Sequence, residues 1–556
     1  MQKSKNYVQK SKNAVPATKN NFPAHYQNHQ DYYTDEDYDD VMSKLPEIIK
    51  QAERRAGEVL EPTIVEKKEI MNIIRDFVRN RQRKVYGGTA LDETIKLVNP
   101  ADAIYDDYKF SDIEFYSPTP VPDLVELTNL LYDKKYKHVT ALEAQHEETY
   151  SIFVNIQLYC DITYVPQRVY NGIKTIVIDG IHYAHPHFML IDYFRMINQP
   201  LTAAAQRWEK AFVRMYKLLK NYPLELFNKQ INLPKPDADI QSILNQIKNQ
   251  FMSIPEIQNQ CLIAGFDAYN FYIKHAMRDR SVEQMARSAY TSNKLDNLST
   301  NVPYYEFISV DYRKTVEKLY DFIRKNVANP QDITLEEYYP LFQYTGYSIL
   351  INYRGQPIVK ITDADGFCVP CVKTTKGYMY VSYQYLLMLM LIGKFGAHLD
   401  KNKEMYFNYG YALSNLVKAR NIFLNKMNLG VINNTVFGEF KVSCVGSTIS
   451  YMRESKLRSL ERYKRGKTPF RYSPEQFYGQ TPEQQSKFDP TKYNFKNTSG
   501  NKINNPKNLF FKLDNNGDII QETIRPDTEE NIEPSRVILP PSSPIPNFDE
   551  SNLIEM

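Results

Sequence analysis

The residues best suited to chemistry fall in three short stretches. The first is Tyr86-Gly87-Gly88-Thr89-Ala90-Leu91, which follows a basic helical segment. Adjacent glycines permit a tight turn whose backbone amides can face phosphate oxygens. Thr89 would add a hydroxyl, and a helix starting there would add a favourable dipole. A lone Gly-Gly is more often an ordinary turn. The second stretch is Ser111-Asp112-Ile113-Glu114-Phe115. On a strand, Asp112 and Glu114 point to the same face, because side chains alternate with period two. Paired carboxylates repel unless cations lie between them, and hard divalent ions prefer such oxygen ligands. The third is Asp161, inside the otherwise uncharged run FVNIQLYCDITYV. An unpaired acid in a buried strand is costly, so its presence asks for a partner or a metal.

A basic helix face supplies the complementary charge. Arg207, Lys210, Arg214 and Lys217 recur at helical spacing along one stripe, with Trp208, Phe212, Met215 and Leu219 nearly opposite. The spacing predicts an exposed basic face with an apolar back. Such a face could neutralise a triphosphate or an RNA backbone; a merely solvated helix face is an equal alternative.

The elements that must position these groups alternate. A capped helix is expected from Ser43 with Pro46 in its first turn, and a second helix runs into the Gly-Gly turn. Strand-like runs follow in KFSDIEFY, SIFVNIQLYCDITYV and TIVIDGIHY. Residues 256–300 read as helical. Beyond them a second α/β region holds the strand YYEFISVDY, a helix ending at Asn326, the strand pair SILINYRGQPIVKITDA and two further helices. The fold class expected is α+β, a mixed α/β arrangement of mixed sheets with flanking helices and disordered tails.

Composition narrows the classes. The chain has 556 residues, 69 Lys+Arg against 65 Asp+Glu, a net charge of +4, and 42% hydrophobic residues. That is long enough for several domains with real cores. Five cysteines exclude a disulfide scaffold. The longest apolar run, Tyr385 to Gly393, is too short to span a bilayer. The polar N-terminus lacks the apolar centre of a signal peptide. A soluble protein of a reducing compartment, with no membrane partner, is expected.

Glycine turn, D-x-E strand and later lone Asp together resemble the polymerase-beta-type nucleotidyltransferase superfamily. The phrases RKVYGGTAL, KFSDIEFYSP, YCDITYVP, HPHFMLIDYFRM and RWEKAFVRMYKLLKNYP resemble, more narrowly, the catalytic subunit of the poly(A) polymerases of large DNA viruses, those of poxviruses, giant viruses and asfarviruses. The motifs cover about residues 55–225, and residues 256–450 agree only in general layout. One departure stands out: Gly88 and Asp112 lie further apart than in compact superfamily members, whereas Glu114, where Asp is common, is permitted by the superfamily pattern.

The resemblance implies a template-independent RNA adenylyltransferase that adds poly(A) to the 3′ end of viral mRNA from ATP. It implies Asp112, Glu114 and Asp161 as catalytic ligands of two Mg²⁺ or Mn²⁺ ions. Gly87, Gly88 and Thr89 would hold the triphosphate, with Arg207, Lys210, Arg214 and Lys217 as its cationic neighbours. The domains would be a disordered tail (1–44), a catalytic nucleotidyltransferase domain (45–255), a second, degenerate nucleotidyltransferase-like domain (256–452) and a basic, then acidic and Pro-rich tail (453–556). Single-stranded RNA is the implied partner, with self-pairing or a separate processivity subunit left open, and virion and host cytoplasm the implied location. Alternatives are a uridylyl- or CCA-adding enzyme, or an inactive RNA-binding virion protein.

Weaker signals remain. His182, His185 and His187 crowd together without further ligands, so a helix start at the HP segment is preferred to zinc. Cys368-Val-Pro-Cys371 lacks a second pair. Asp363-Ala364-Asp365 mimics D-x-D in the second region. Asp514 to Asp518 reads as a hairpin turn. The stretch Arg453 to Arg471 carries eight basic residues against two acidic ones, with aromatics interleaved, and could contact single-stranded RNA.

Overall fold

The computed structural model describes residues 32–60, 62–105, 111–144, 148–201, 207–225, 227, 229–277, 298–364, 366–446, scattered residues between 453 and 464, 469–492, 498–514 and 516–520. The N-terminal residues 1–31, Phe110, Asp365, most of the basic stretch from Arg453 and the acidic end beyond 520 lie outside them. Two compact units divide the chain, residues 1–67 and 68–556.

In the first unit, α1 (Asp35–Val59) starts well before Ser43. Thr34 accepts from the Asp37 backbone, and Asp37 returns the bond, forming a capping box. Residues 35–44, expected within the disordered tail, instead open this helix, and Asp35, Glu36 and Asp37 lie in its first turn, where the macrodipole favours negative charge. Pro46 lies in the helix interior, not in its first turn. The helix α2 (Ile64–Asn80) follows and buries Ile70, Met71, Ile74, Phe77 and Val78, an i, i+3/i+4 stripe.

The second unit contains two mixed eight-stranded sheets. The first uses β1 (Lys84–Tyr86), β2 (Ile113–Ser117), β3 (Thr140–Glu143), β4 (Thr149–Val154), β5 (Gln157–Tyr164), β6 (Thr175–Ile178) and β7 (Ile181–Ala184). Flanking it are α3 (Gly87–Val98), α4 (Pro120–Asp133), α5 (Gln167–Gly172), α6 (Pro186–Ile197) and α7 (Trp208–Asn221). Two runs that read as single strands are hairpins. Asn155 and Ile156 turn β4 into β5 with φ of 50° and 68°, and Asp179-Gly180 turns β6 into β7.

The helix α8 (Ala238–Asn249) packs with the second sheet, through Lys248 to Asp267 at 2.7 Å and Arg354 to Asp239 at 3.2 Å. That layer therefore begins ahead of residue 256. After α9 (Pro255–Gln260) comes β8 (Cys261–Ala264), a wholly buried strand inside the run expected to be helical, and then α10 (Gly265–Ala276). Next are β9 (Tyr305–Ser309), α11 (Tyr312–Asn326), β10 (Ile333–Tyr338), β11 (Ser348–Tyr353), β12 (Gln356–Asp363), β13 (Cys368–Lys373), β14 (Met379–Val381), α12 (Tyr383–Leu399) and α13 (Lys403–Lys426).

The two sheets repeat one plan. The orders β3-β4-β5-β2-β1-β7-β6 and β10-β11-β12-β9-β8-β14-β13 correspond strand for strand, with matching parallel and antiparallel pairs. Each gains one late edge strand, β15 (Cys444–Gly446) on β13 and β16 (Arg471–Tyr472) on β3.

The described part of residues 453–556 is not a free tail. Tyr472 stacks on Phe488 at 5.4 Å beside β3. Further on, the Phe510 and Phe511 amides both donate to the Glu337 carboxylate on β10. Asp514 and Asp518 close the expected turn by a backbone bond of 2.9 Å. Among the described residues no helix is long and apolar enough to cross a membrane.

Candidate active site

Strand β1 breaks into α3 at Gly87, whose φ of +70° is one that L side chains rarely adopt. The two glycines make room for different neighbours. A Cβ on Gly87 would lie 1.7 Å from Glu114 Oε2, and one on Gly88 would lie 2.3 Å from the Tyr105 hydroxyl. The Gly88 amide donates to Glu114 Oε2 at 3.1 Å. Thr89 is 9% exposed and its hydroxyl donates to the Asp112 carbonyl at 3.0 Å, so it anchors the start of β2 and does not project as a free hydroxyl.

The strands then bring the acids into neighbouring places. Glu114 is the register partner of Tyr86 on one side and of Asp161 on the other. Ile113 and Phe115 are sealed in the core at 1% and 0% exposure, which leaves Glu114 the opposite face. Burial pushes the Glu114 carboxyl up to about 7; Asp112 and Asp161 push the same way, and the Gly88 amide pulls back. Asp161 is likewise raised, by burial first and also by Asp112, against the Ser151 hydrogen bond. Mutual repulsion of this kind is what cations would relieve.

Each acid is turned to a local donor. Ser111 donates to Asp112 Oδ1 at 3.0 Å and Ser151 to Asp161 Oδ1 at 2.5 Å. Accordingly, among the described residues no three His, Cys, Asp or Glu side chains gather closely enough to enclose a metal ion. The donor set itself fits a hard divalent cation: three carboxylates at or beside neighbouring strand positions, with burial and mutual repulsion raising Glu114 and Asp161.

The basic helix face divides. Lys210 has its pKa lowered, first by Arg214, then by burial and Arg207, while Asp112 and Glu114 act in the opposite sense. Those three cations thus share the electrostatic neighbourhood of the acids. Lys217 does not: its Nζ donates to the Ala103 carbonyl at 2.8 Å and ties α7 to the preceding turn. The apolar back is shifted too. Ala211, Met215 and Leu218 are buried, whereas Phe212 is 40% exposed, its ring 5.6 Å from Phe440.

The other motifs resolve into local structure. His185 Nδ1 accepts from the His187 amide and caps α6, His187 meets the Tyr222 carbonyl, and His182 meets Thr175. Cys368 is bonded to Cys444, not to Cys371. Two residues not singled out in the sequence matter here, Tyr105 and Ser151. Only contacts from distant segments reveal them, and neither stands in a motif.

The second sheet keeps the frame and changes the side chains. Gly265 has φ +59°, and a Cβ there would lie 2.2 Å from Glu306 Oε1, as at Gly87. Glu306 is the register partner of Ala264 and of Lys360. Tyr304 precedes Glu306 by the spacing that separates Asp112 from Glu114. Asp363 lies at the end of β12, opposite Ser309, so it sits on the counterpart of β5 and is the equivalent of neither Asp112 nor Glu114; Asp365 lies outside the described residues.

A mixed sheet seating strand acids beside a glycine turn, at the N-terminus of a helix with cations near, defines a nucleotidyltransferase. Comparison with known proteins agrees. The family model described as "Poly(A) polymerase catalytic subunit" matches residues 72–203, and that for the C-terminal part of the mimivirus (APMV) poly(A) polymerase catalytic subunit matches residues 238–513. A poly(A) polymerase catalytic subunit of Acanthamoeba polyphaga mimivirus is 58% identical over 504 residues, 88% of this chain and 86% of the relative. One from African swine fever virus (strain Badajoz 1971 Vero-adapted) is 25% identical over 380 residues, 65% of this chain and 72% of its own. The crystal structure of the Megavirus polyadenylate synthase superposes with a TM-score of 0.84 at 63% identity, covering 89% of this chain and 97% of that one. The chain belongs to the family of viral poly(A) polymerase catalytic subunits, enzymes of poly(A) addition.

Proposed function

We propose that the chain extends the 3′ end of viral mRNA without a template, taking adenylate from ATP at a two-metal site formed by Asp112, Glu114 and Asp161. The observation that carries this is the register pairing of Glu114 with Asp161 beside Gly87, with Asp112 two residues before Glu114. These carboxylates would hold Mg²⁺ or Mn²⁺. When bound, the ions would acidify the primer hydroxyl and stabilise the attacking and leaving oxygens.

The protein's own part is positioning and charge. Lys210 and Arg214 interact with the same acids, Arg207 stands near Lys210, and the three would balance the triphosphate, whose pyrophosphate departs as the new phosphodiester forms. Gly87 and Gly88 let the backbone approach it. Thr89 and Lys217 would act one step back, through Asp112 and Ala103. The second half would serve without chemistry of its own. The relatives' name, catalytic subunit, supports a partner protein, and the viral family supports action in virion and host cytoplasm.

Incubation of the purified chain with a short RNA, Mg²⁺ and each nucleoside triphosphate separately tests this. Extension with ATP alone is expected. Equal extension with UTP would favour a different terminal transferase, and full activity in Asp112→Ala would remove Asp112 from the site.

A further inference from the structure

We propose that Tyr105 is a positioning residue of the triphosphate subsite, holding the Arg214 guanidinium against Gly88. The inference rests on the site proposed above.

Arg214 Nη2 donates to the Tyr105 hydroxyl at 2.6 Å, and the guanidinium lies 5.7 Å from the centre of the same ring. A buried second phenol, Tyr193, lies in the electrostatic neighbourhood of Arg214. Both Arg214 terminal nitrogens are 3.3 Å from the point where a Gly88 Cβ would lie. The cation therefore stands at the mouth of the glycine turn. No ion pair joins it to a carboxylate among the described residues. The Tyr105 phenol fixes its direction without neutralising it, so its charge is left for an anion at Gly88.

Tyr105 is itself held firmly. The Ile104 and Tyr105 amides both donate to Asp92 Oδ1, at 2.6 and 3.1 Å, and Asp92 is 3% exposed within α3. Lys217 grips the Ala103 carbonyl, and Lys220 and Asn221 grip Asp102. The turn 102–105 is thus fastened to both helices that border the site. Lys217, expected to touch phosphate, serves this platform instead.

The test is Tyr105→Phe, which keeps the ring and deletes the acceptor. KM for ATP is expected to rise about tenfold while kcat falls less than threefold, the size of one charge-assisted hydrogen bond. Inhibition by inorganic tripolyphosphate should weaken by the same factor, Tyr105→His should recover part of the loss, and Tyr105→Phe should add nothing in an Arg214→Ala background. Unchanged KM and tripolyphosphate inhibition would overturn the proposal, as would a lowered melting temperature as the only effect. Asp112→Ala, assayed alongside, separates the failures. If that variant is active the site itself is misplaced. If it is dead and Tyr105→Phe binds ATP normally, only the role of Tyr105 is lost.

Discussion

Glu306 faces Lys360 across β9 and β12 at the place where Glu114 faces Asp161 across β2 and β5. An ammonium on the chain thus stands where the first sheet has a carboxylate. Burial raises the Glu306 pKa and Lys360 pulls back against it, whereas at Glu114 Asp161 adds to the upward push of burial. A divalent ion beside Lys360 would be repelled, and Tyr304 offers no carboxylate in the place of Asp112. This exchange supports a structural role for the second sheet.

Lys360→Met should leave Glu306 uncompensated and lower stability by about 1–3 kcal/mol. Adding Glu306→Gln should recover part of that in a thermal melt, with RNA extension by the folded protein little changed. A melting temperature equal to the wild type would show that the pair contributes nothing.

Gly87→Ala meets two obstacles. The left-handed backbone costs about 1–2 kcal/mol with a Cβ, and that Cβ would fall on Glu114. Extension activity should drop more than tenfold, beyond what the fall in melting temperature explains. Full activity would mean that Glu114 moves aside freely.

Asp161→Asn should cut ATP-driven extension by about a hundredfold or more, because it removes charge where the proposed metal ions would be held. Ser151→Ala frees the carboxylate that Ser151 now orients, so a smaller loss, about three- to tenfold, is expected. RNA affinity, followed by fluorescence anisotropy, should stay within twofold in both.

Acid should weaken the fold through His185. Burial, with the neighbouring His187 and Lys174, depresses its pKa to about 4 from 6.5. Its stabilising contribution is therefore complete above pH 6.5 and lost as pH falls toward 4. Chemical denaturation across that window should show a steeper decline in the wild type than in His185→Asn, whose side chain can still cap α6.

The Cys368–Cys444 bond closes a 76-residue separation around α12 and α13. Chain entropy sets its contribution at no more than about 4.5 kcal/mol. Cys444→Ser should melt below the wild type without reductant and together with it in reductant. Coincident melts in both conditions would mean that the bond does not form in solution.

Much of the fold is legible along the chain where a local rule applies. The long helices α12 and α13 declare themselves by length, whereas the Asp179-Gly180 turn carries an ordinary hairpin signal that the reading of one continuous strand passed over. Ile156 does not, since a β-branched residue at φ +68° contradicts its own preference and is held there by the pairing of β4 with β5. The four residues of β8 are as apolar as a buried helix turn and become a strand only between β9 and β14.

The sequence by itself determined which side chains are available and on which face of an element each one falls: the two glycines, the acids at strand spacing, the cations at helical spacing. Only the tertiary structure decided how those groups are used. It occupied Thr89 and Lys217 with backbone carbonyls, set Tyr105 against Arg214 and placed Lys360 where the first sheet has an acid. The reason is physical. Periodicity is written by neighbours along the chain, whereas the partner of a hydrogen bond or a charge is whichever group the packing of distant segments brings within about 3 Å.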